Sequence, residues 1–189
     1  MIKLIAFSAS TRKGSLNQKL ISQAVEVFKS KGQEVELISL ADYDMPIYNG
    51  DIEALGIPEN AIALTNKFKE ADGFIISSPE YNSSFSPLLK NVIDWMSRTQ
   101  SGQPSLIALS GKTVLLLAAS PGPLGGLRGI YHFRQVLENI FMYVLPNVFA
   151  LPVAHEAFTD EGLLKEEKYR KMLGDSVTKM IDFTKKLKG

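Results

Sequence analysis

The chain has 189 residues, of which 45% are hydrophobic and 22% are charged. This length suits one globular domain with a sizeable core, so we expect residues 1–189 to form a single domain. The 21 basic residues nearly balance the 20 acidic ones, which argues against nucleic acid or an anionic membrane as a partner bound through bulk charge. Cysteine is absent; this excludes disulfides and thiolate chemistry and fits a reducing, cytoplasmic location.

Strand-like runs and helical patterns alternate along the chain. Five runs rich in β-branched and other apolar residues predict strands at Lys3–Phe7, Glu34–Ser39, Gly73–Ser78, Thr113–Ala119 and Asn147–Leu151. Apolar residues at helical spacing predict helices over about 16–28, 88–96, 133–141 and 164–187. The longest wholly apolar stretch, Val114–Ala119, is far shorter than the ~20 residues of a membrane span. This order of elements predicts a soluble α/β protein with a doubly wound parallel sheet.

Ligands bind such a sheet beyond the carboxyl ends of its strands, so the loops there are candidate sites. The first of these loops, residues 8–17, reads SASTRKGSLN and runs into a predicted helix. Free N–H groups and the helix dipole favour an anion at that position. The side chains that can donate hydrogen bonds to a phosphate are those of Ser10, Thr11, Ser15 and Asn17, and Arg12 can add a charge. The alternative is that Ser15 only caps the helix and the remainder is a solvated turn.

The kind of phosphate is indicated by what the first loop lacks. It contains neither the dinucleotide fingerprint G-x-G-x-x-G nor the Walker pattern that ends in Gly-Lys-Ser/Thr. A mononucleotide phosphate therefore fits the loop better than a pyrophosphate does.

The loop after the third predicted strand, residues 77–87, reads SSPEYNSSFSP. Its two prolines restrict the backbone, while Tyr81 and Asn82 offer an aromatic face and an amide. A planar heteroaromatic ring could pack against them. The alternative is that Tyr81 and Phe85 pack on the core and that Ser86 caps the following helix.

The loop after the fourth predicted strand, residues 119–129, reads ASPGPLGGLRG. Its four glycines leave bare backbone that a flat ligand or a second cofactor can approach, although a flexible connection would explain them equally well. All three unusual loops follow central strands at the same edge of the predicted sheet. We therefore predict that they form one site.

These loops carry a resemblance to a known family. Residues 9–17 resemble the Gly-Ser-x-Arg-x-x-Ser-x-Asn phosphate loop of the NADPH-dependent FMN reductase family, a flavodoxin-like group that includes chromate, quinone and azo-dye reductases. PEYN at 79–82 followed by LKNVIDW at 89–95 resembles the second signature of that family, PEYN…LKNAIDW. Residues 125–135 resemble the third. The similarity extends from about residue 3 to about residue 140.

The resemblance implies a flavodoxin-like sheet of five parallel strands in the order 2-1-3-4-5, with helices on both faces. It implies an FMN phosphate site formed by Ser10, Arg12, Ser15 and Asn17, with Leu16 in the same cofactor site. It also implies an isoalloxazine ring lined by Pro79, Glu80, Tyr81 and Asn82, with Ser120 and Gly122 on its other side. Ala9 departs from the family pattern, which often has glycine there, and would weaken a site that needs a positive φ or a very close approach of the phosphate.

The activity implied is that of an oxidoreductase that passes hydride from NADPH or NADH through bound FMN to a small-molecule acceptor such as a quinone, azo dye, free flavin or metal oxyanion. Two other classes stay open: an FMN electron carrier that does not use NAD(P)H directly, and a nonredox binding module. The near-neutral charge disfavours the carrier. The two histidines, His132 and His155, have no metal-ligand spacing and no nearby nucleophile, so we predict neither a metal site nor catalytic side chains.

Two further predictions concern the surface. Residues 131–154 carry more large apolar side chains than one sheet-facing stripe requires, which predicts an interface between copies of the chain. The family resemblance implies that the assembly is a homodimer or homotetramer. The alternative is that these side chains fill the core of one monomer. Arg98, Arg128 and Arg134 are candidates for contact with a 2′-phosphate, although the sequence favours ordinary surface or interface roles for them.

Overall fold

The structure, a computed structural model, describes residues 2–98 and 102–189. Its strands are β1 (Leu4–Ser8), β2 (Val35–Ile38), β3 (Gly73–Ser77), β4 (Thr113–Ala119), β5 (Tyr143–Val144) and β6 (Phe149–Leu151). Its α-helices are α1 (Leu16–Ser30), α2 (Gly50–Leu55), α3 (Glu59–Lys69), α4 (Pro87–Met96), α5 (Leu127–Asn139) and α6 (Glu167–Lys188). Among the described residues, no helix is both long enough and apolar enough to span a membrane.

The sheet has the predicted strand order, β2-β1-β3-β4-β5, and its strand pairs are parallel. The prediction of one fifth strand over residues 147–151 is wrong in detail. Two short strands, β5 and β6, pair with opposite ends of the seven-residue β4, so the sheet has six strands. Between them lies Pro146, which has no N–H group for a strand ladder and so interrupts the pairing.

Helices cover both faces of the sheet, as predicted. Successive side chains of a strand point to opposite faces of the sheet. The fully buried strands β3 and β4 therefore contribute side chains to two hydrophobic cores, one on each face. Phe74 and Leu116 pack with α3, α4 and α5, whereas Ile75 and Leu117 pack with α1 and α6. The apolar runs of the central strands are thus explained by burial on both sides.

The apolar segment 131–154 mostly fills the core of this one chain. Its large buried side chains are Phe133, Leu137, Met142, Leu145, Phe149 and Leu151. Tyr131, Phe141, Tyr143 and Val153 stay exposed, and the exposed fraction reaches 69% for Phe141. The alternative of core filling therefore accounts for most of the segment, and only these few side chains are left to support an interface.

Candidate functional site

The three predicted loops meet at the carboxyl edge of the sheet, where β1, β3 and β4 are neighbours. They line an open cleft of about 140 Å³. Nine of the eleven predicted cofactor residues line it: Ser10, Arg12, Ser15, Leu16, Asn17, Pro79, Glu80, Tyr81 and Ser120. Ala119 and Pro121, which we did not predict, also line it, whereas Asn82 and Gly122 are not in the lining. Ligand pockets typically measure ~300–1,000 Å³, so this cleft has room for part of a mononucleotide, with the rest over its mouth.

The start of α1 supplies the cleft with hydrogen-bond donors. Ser15 is the N-cap, and its Oγ accepts the N–H of Gln18 at 3.4 Å, so the capping role named in the alternative is confirmed. The cap leaves the hydroxyl hydrogen of Ser15 free to donate. The N–H groups of Leu16 and Asn17 lie in the first turn and lack intrahelical partners. Helix capping and anion binding are therefore compatible here.

Arg12 is the cation at this cleft. Its Nη1 donates to the carbonyl of Lys13 at 3.2 Å, and its side chain is exposed. Within residues 2–98 and 102–189, it forms no ion pair with a carboxylate. Its charge is therefore available to an anionic ligand.

The other three arginines considered above already have partners in the chain. Arg98 Nε donates to Glu53 at 2.8 Å, and Arg134 Nη2 donates to the carbonyl of Leu145 at 2.6 Å. Arg128 pairs with Glu80. These contacts match the ordinary roles that the sequence favoured over a 2′-phosphate contact.

Ala9, the departure from the family pattern, is accommodated by the backbone. It is buried, and it is not among the residues with positive φ. Its N–H donates to the carbonyl of Ser77 at 2.8 Å, and its carbonyl accepts the Ser86 hydroxyl at 2.9 Å. The condition under which Ala9 would weaken the loop through a positive φ is therefore not met.

Residues 81–84 form a tight turn at the mouth of the cleft. The N–H of Tyr81 donates to the carbonyl of Ser84 at 2.8 Å, and the reverse bond measures 3.0 Å. Asn82 and Ser83 have φ values of +49° and +65°, as at the centre of a type I′ turn. Asparagine tolerates this left-handed region better than most residues, so Asn82 has a local role in the turn, and its contact with a ring stays a prediction.

The alternative for this loop is right for two side chains and wrong for one. Phe85 packs on the core, with its ring centroid 5.0 Å from that of Phe133. Ser86 caps α4, because its Oγ accepts the N–H of Leu89 at 3.2 Å. Tyr81, in contrast, is 50% exposed. Its aromatic face therefore does not pack on the core and is accessible to a ligand.

Glu80 lines the cleft but directs its carboxylate to the start of α5. Oε1 accepts hydrogen bonds from Arg128 Nε at 3.0 Å and Nη2 at 2.6 Å, and Oε2 accepts the N–H of Gly129 at 3.1 Å. The N-cap of this helix, Gly126, makes no side-chain cap bond, so Glu80 supplies the acceptor from another loop. Burial raises the pKa of Glu80, but the bonds from Gly129 and Arg128 outweigh burial and hold the pKa below its usual value.

The glycines of the third loop serve packing within the chain more than ligand access. A Cβ on Gly125 would lie 2.6 Å from the carbonyl carbon of Leu151, and one on Gly129 would lie 2.9 Å from the carbonyl oxygen of Ser84. The predicted bare surface for a flat ligand is therefore wrong at these two positions. Gly122 has more room, with its nearest contact at 3.6 Å.

Ser120, on the predicted far side of the ring, is held firmly. Its N–H donates to the carbonyl of Leu151 at 3.2 Å, and its Oγ accepts the N–H of Gly122 at 3.2 Å. The hydroxyl hydrogen of Ser120 remains free to donate. The loop is thus fixed before any ligand arrives.

The second half of the second signature lies in α4, and its side chains form hydrogen bonds with the backbone of residues 46–48. Asn91 Oδ1 accepts the N–H of Tyr48 at 2.8 Å, and Asn91 Nδ2 donates to the carbonyl of Pro46 at 3.0 Å. The indole N–H of Trp95 donates to the same carbonyl at 2.8 Å. We had assigned these side chains no role, although polar groups within an apolar helical stripe are a readable sign of such partners.

Glu80→Gln is expected to lower the free energy of unfolding at pH 7 by about 1–2 kcal/mol, because the amide keeps the shape and loses the charge. The folded-state pKa lies below the usual 4.5, so this stabilisation is complete above pH 4.5 and is lost as the pH falls through the folded pKa. Urea unfolding of both proteins at neutral pH and at about pH 3.5 measures the difference, which should shrink in acid.

Asp94→Asn is the matched control for that substitution. Asp94 pairs with Lys90 at 2.6 Å on the surface of α4, and exposed pairs contribute at most about 1 kcal/mol. An effect of Glu80→Gln no larger than the control, or one that stays constant in acid, would contradict the role assigned to the Glu80 carboxylate.

The sheet order and the helices on both faces define a flavodoxin-like protein. The family model for NADPH-dependent FMN reductase matches residues 2–156. The chain therefore belongs to the NADPH-dependent FMN reductase family, as the three signatures indicated. The family defines it as an oxidoreductase that uses FMN and NAD(P)H.

Individual relatives agree with the family. The chain is 33% identical to an NAD(P)H-dependent FMN reductase of Pseudomonas aeruginosa, over all of this chain and 98% of that protein. It is also 33% identical to an NAD(P)H:quinone oxidoreductase of Solanum tuberosum, over all of this chain and 96% of the relative. Among solved structures, the flavoenzyme NAD(P)H:(acceptor) oxidoreductase FerB of Paracoccus denitrificans superposes with a TM-score of 0.83 at 27% identity, over 98% of each chain.

Proposed function

We propose that the protein transfers hydride from NAD(P)H through bound FMN to quinones. The observation that carries this proposal is the cleft itself, where the start of α1, the uncommitted charge of Arg12 and the exposed ring of Tyr81 converge. Helix N–H groups and a guanidinium suit a phosphate. A half-exposed aromatic ring suits a flat heterocycle. The donor set thus fits the two ends of FMN.

The residues of the first loop hold the phosphate in this proposal. The N–H groups of Leu16 and Asn17 and the hydroxyl of Ser15 donate to it, and Arg12 neutralises its charge. Ser10 lines the same part of the cleft and adds a hydroxyl donor.

The second and third loops enclose the ring. All three of Pro79, Tyr81 and Ser120 line the cleft, and in this proposal Pro79 and Tyr81 supply apolar surface on one side of the ring and Ser120 lies on the other. The N–H groups of Tyr81 and Ser120 already donate within the chain, so the N–H groups of Glu80 and Asn82 are the ones that would stabilise negative charge on a bound ring. Bound FMN supplies the redox chemistry, since a flavin accepts and releases hydride. The side chains bind and orient, and we assign none of them a catalytic role.

Quinones are the proposed acceptors because quinone reduction is the named activity of the Solanum tuberosum relative. The cleft is open to solvent on one side, which supports acceptance of other flat or small oxidants, including azo dyes, free flavin and metal oxyanions. We propose the cytoplasm as the location, in keeping with a chain that has no cysteine.

Anaerobic reduction tests the proposal. The visible spectrum of the purified protein, loaded with FMN if needed, is recorded before and after addition of NADPH and, separately, NADH. Flavin bands that bleach, followed by recovery on addition of a quinone, are the expected result, with an equal concentration of free FMN as the control. Bands that persist with both reductants would favour an electron carrier, and a protein that takes up no FMN would overturn the proposal.

We also propose a homodimer or homotetramer. The exposed side chains of Phe141 and Tyr143 support it, and so do Ile47 and Leu55, which are the most exposed large apolar residues described. Burying such side chains between copies of the chain is favourable. Light scattering on the purified protein at micromolar concentration is expected to give a mass at least twice the 20.8 kDa of one chain. A monomeric mass would refute this proposal.

A further inference from the structure

Asn17 lines the cleft, yet most of its carboxamide is engaged inside the chain. The residue lies in the first turn of α1 and is only 3% exposed. Its Oδ1 accepts the N–H of Ala119 at 3.0 Å and the hydroxyl of Ser77 at 2.9 Å. Its Nδ2 donates to the carbonyl of Ala119 at 3.0 Å. Three hydrogen bonds therefore connect this one side chain to the ends of β3 and β4.

The bonds to Ala119 continue the sheet where β3 has ended. The register of β3 with β4 ends at Ser77 opposite Leu117, and the carbonyl of Leu117 accepts the N–H of Ser78. Backbone groups two residues apart on a strand face the same neighbour, so the N–H and carbonyl of Ala119 also face the β3 side. The Asn17 carboxamide occupies the place of the missing strand and satisfies both groups.

This arrangement joins the three loops of the cleft. Asn17 belongs to the phosphate loop, Ser77 leads into the loop that carries Tyr81, and Ala119 leads into Ser120. A shift of the first loop against the other two would break at least two buried hydrogen bonds, each costly to leave unmade. The separation between the phosphate donors and the ring-side loops is thus set by this side chain.

Resting on the proposed function, we propose that Asn17 is a positioning residue, which fixes the phosphate loop relative to the ring-side loops, and that its side chain is not a main phosphate ligand. Only Nδ2 can donate to an anion, and one of its two N–H groups is already bound to the carbonyl of Ala119, which leaves a single donor. The two roles predict different contributions of Asn17 to the binding of riboflavin, which has the ring of FMN and no phosphate. A phosphate ligand contributes to FMN binding alone, whereas a residue that sets the loop spacing contributes to both.

The test measures the affinity of flavin-free protein for FMN and for riboflavin by quenching of flavin fluorescence. Asn17→Ala is expected to weaken both by a similar factor, about tenfold. Arg12→Ala is the contrasting variant, since it should lower the affinity for FMN and leave the affinity for riboflavin unchanged. Thermal unfolding of each flavin-free variant reports the stability of the chain separately.

A second variant, Ser77→Ala, removes one of the three bonds and keeps the Asn17 carboxamide. It is expected to weaken FMN and riboflavin equally, by about threefold, and it decides the question if Asn17→Ala does not fold. Loss of FMN affinity alone in either variant would overturn the inference in favour of a phosphate ligand. Unchanged affinity for both flavins would overturn it in favour of a purely structural role. Wild-type protein that binds neither flavin would instead overturn the proposed function, and with it this inference.

Discussion

Arg12→Ala is expected to weaken FMN binding by about 1.5–3 kcal/mol, or about ten- to hundredfold, which is the usual contribution of a charge-assisted hydrogen bond. The guanidinium lines the cleft and has no carboxylate partner in the described part of the chain. Its removal therefore leaves no unpaired acid behind, and the loss should fall on the ligand. Titration with FMN at low and at high salt measures it, and the loss should be smaller at high salt because an exposed charge is screened.

Lys13→Ala is the matched control for Arg12→Ala. The lysine carries the same charge in the next position and is also exposed, but it does not line the cleft. It should change FMN affinity only slightly, through the general field. Equal effects of the two substitutions would assign the loss to bulk charge. Unchanged affinity in Arg12→Ala would contradict a phosphate contact of Arg12 and favour the alternative in which Ser15 caps α1 beside a solvated turn.

The sheet could be predicted from the sequence because its central strands are buried on both faces. β3 and β4 are buried along their whole length, so they read as short apolar runs with no competing periodicity. The two strands beyond β4, which are β5 and β6, were less predictable from the sequence. β5 has two residues and β6 has three, which is too few to show an alternating pattern. Both strands pair with β4, one at each end, and no local pattern predicts that division.

The location of the site was predictable, whereas the tasks of its residues were not. The three loops follow three adjacent strands, and topology alone brings them together. What each side chain does depends on partners far along the chain: Glu80 bonds with a residue 49 positions away, and Asn17 with one 102 positions away. A motif fixes the residue types, but it does not say whether a carboxylate or a carboxamide faces the ligand or the protein.

The glycines show the same limit. Gly125 was visible in the sequence as a position that tolerates unusual backbone, and its φ is +63°. That its missing side chain makes room for the backbone of Leu151 is a fact of packing that no local pattern records.

At the edge of the sheet opposite the cleft, Lys112 closes the end of a helix. The residue is 8% exposed. Its Nζ donates to the carbonyls of Phe68, Lys69 and Ala71 at 2.6, 2.7 and 2.7 Å, where α3 ends. The last carbonyls of a helix have no intrahelical partners, and a cation suits the negative end of the dipole. The Phe68 carbonyl also accepts the N–H of Ala71 at 3.1 Å, so the lysine is a second donor to Phe68 and the donor to Lys69 and Ala71.

Lys112→Met is expected to lower the free energy of unfolding by about 2–4 kcal/mol, because methionine fills much of the space but cannot donate to the carbonyls of Lys69 and Ala71 and removes one of two donors from that of Phe68. Urea unfolding at pH 7 measures the loss. Lys90→Met, which removes an exposed lysine from a surface ion pair on α4, is the control and should cost at most about 1 kcal/mol. FMN affinity should stay unchanged in Lys112→Met, since the lysine is at the far end of β4 from the cleft. A loss no larger than the control would contradict the capping role.

The same variant isolates the response of this lysine to pH. Burial lowers the pKa of Lys112 from 10.5 to about 8, against a smaller opposing attraction from Asp72. Below pH 8 the lysine is protonated in both the folded and the unfolded chain. Between pH 8 and 10.5 the unfolded chain holds a proton that the folded chain has released, so raising the pH favours folding at this site.

The difference in unfolding free energy between wild type and Lys112→Met should therefore widen as the pH rises from about 7 to about 10. Other groups that titrate in this range cancel in the difference because both proteins carry them. A difference that narrows with pH would mean that the three carbonyls outweigh burial. They would then hold the proton on Lys112 more tightly in the folded chain than in the unfolded one.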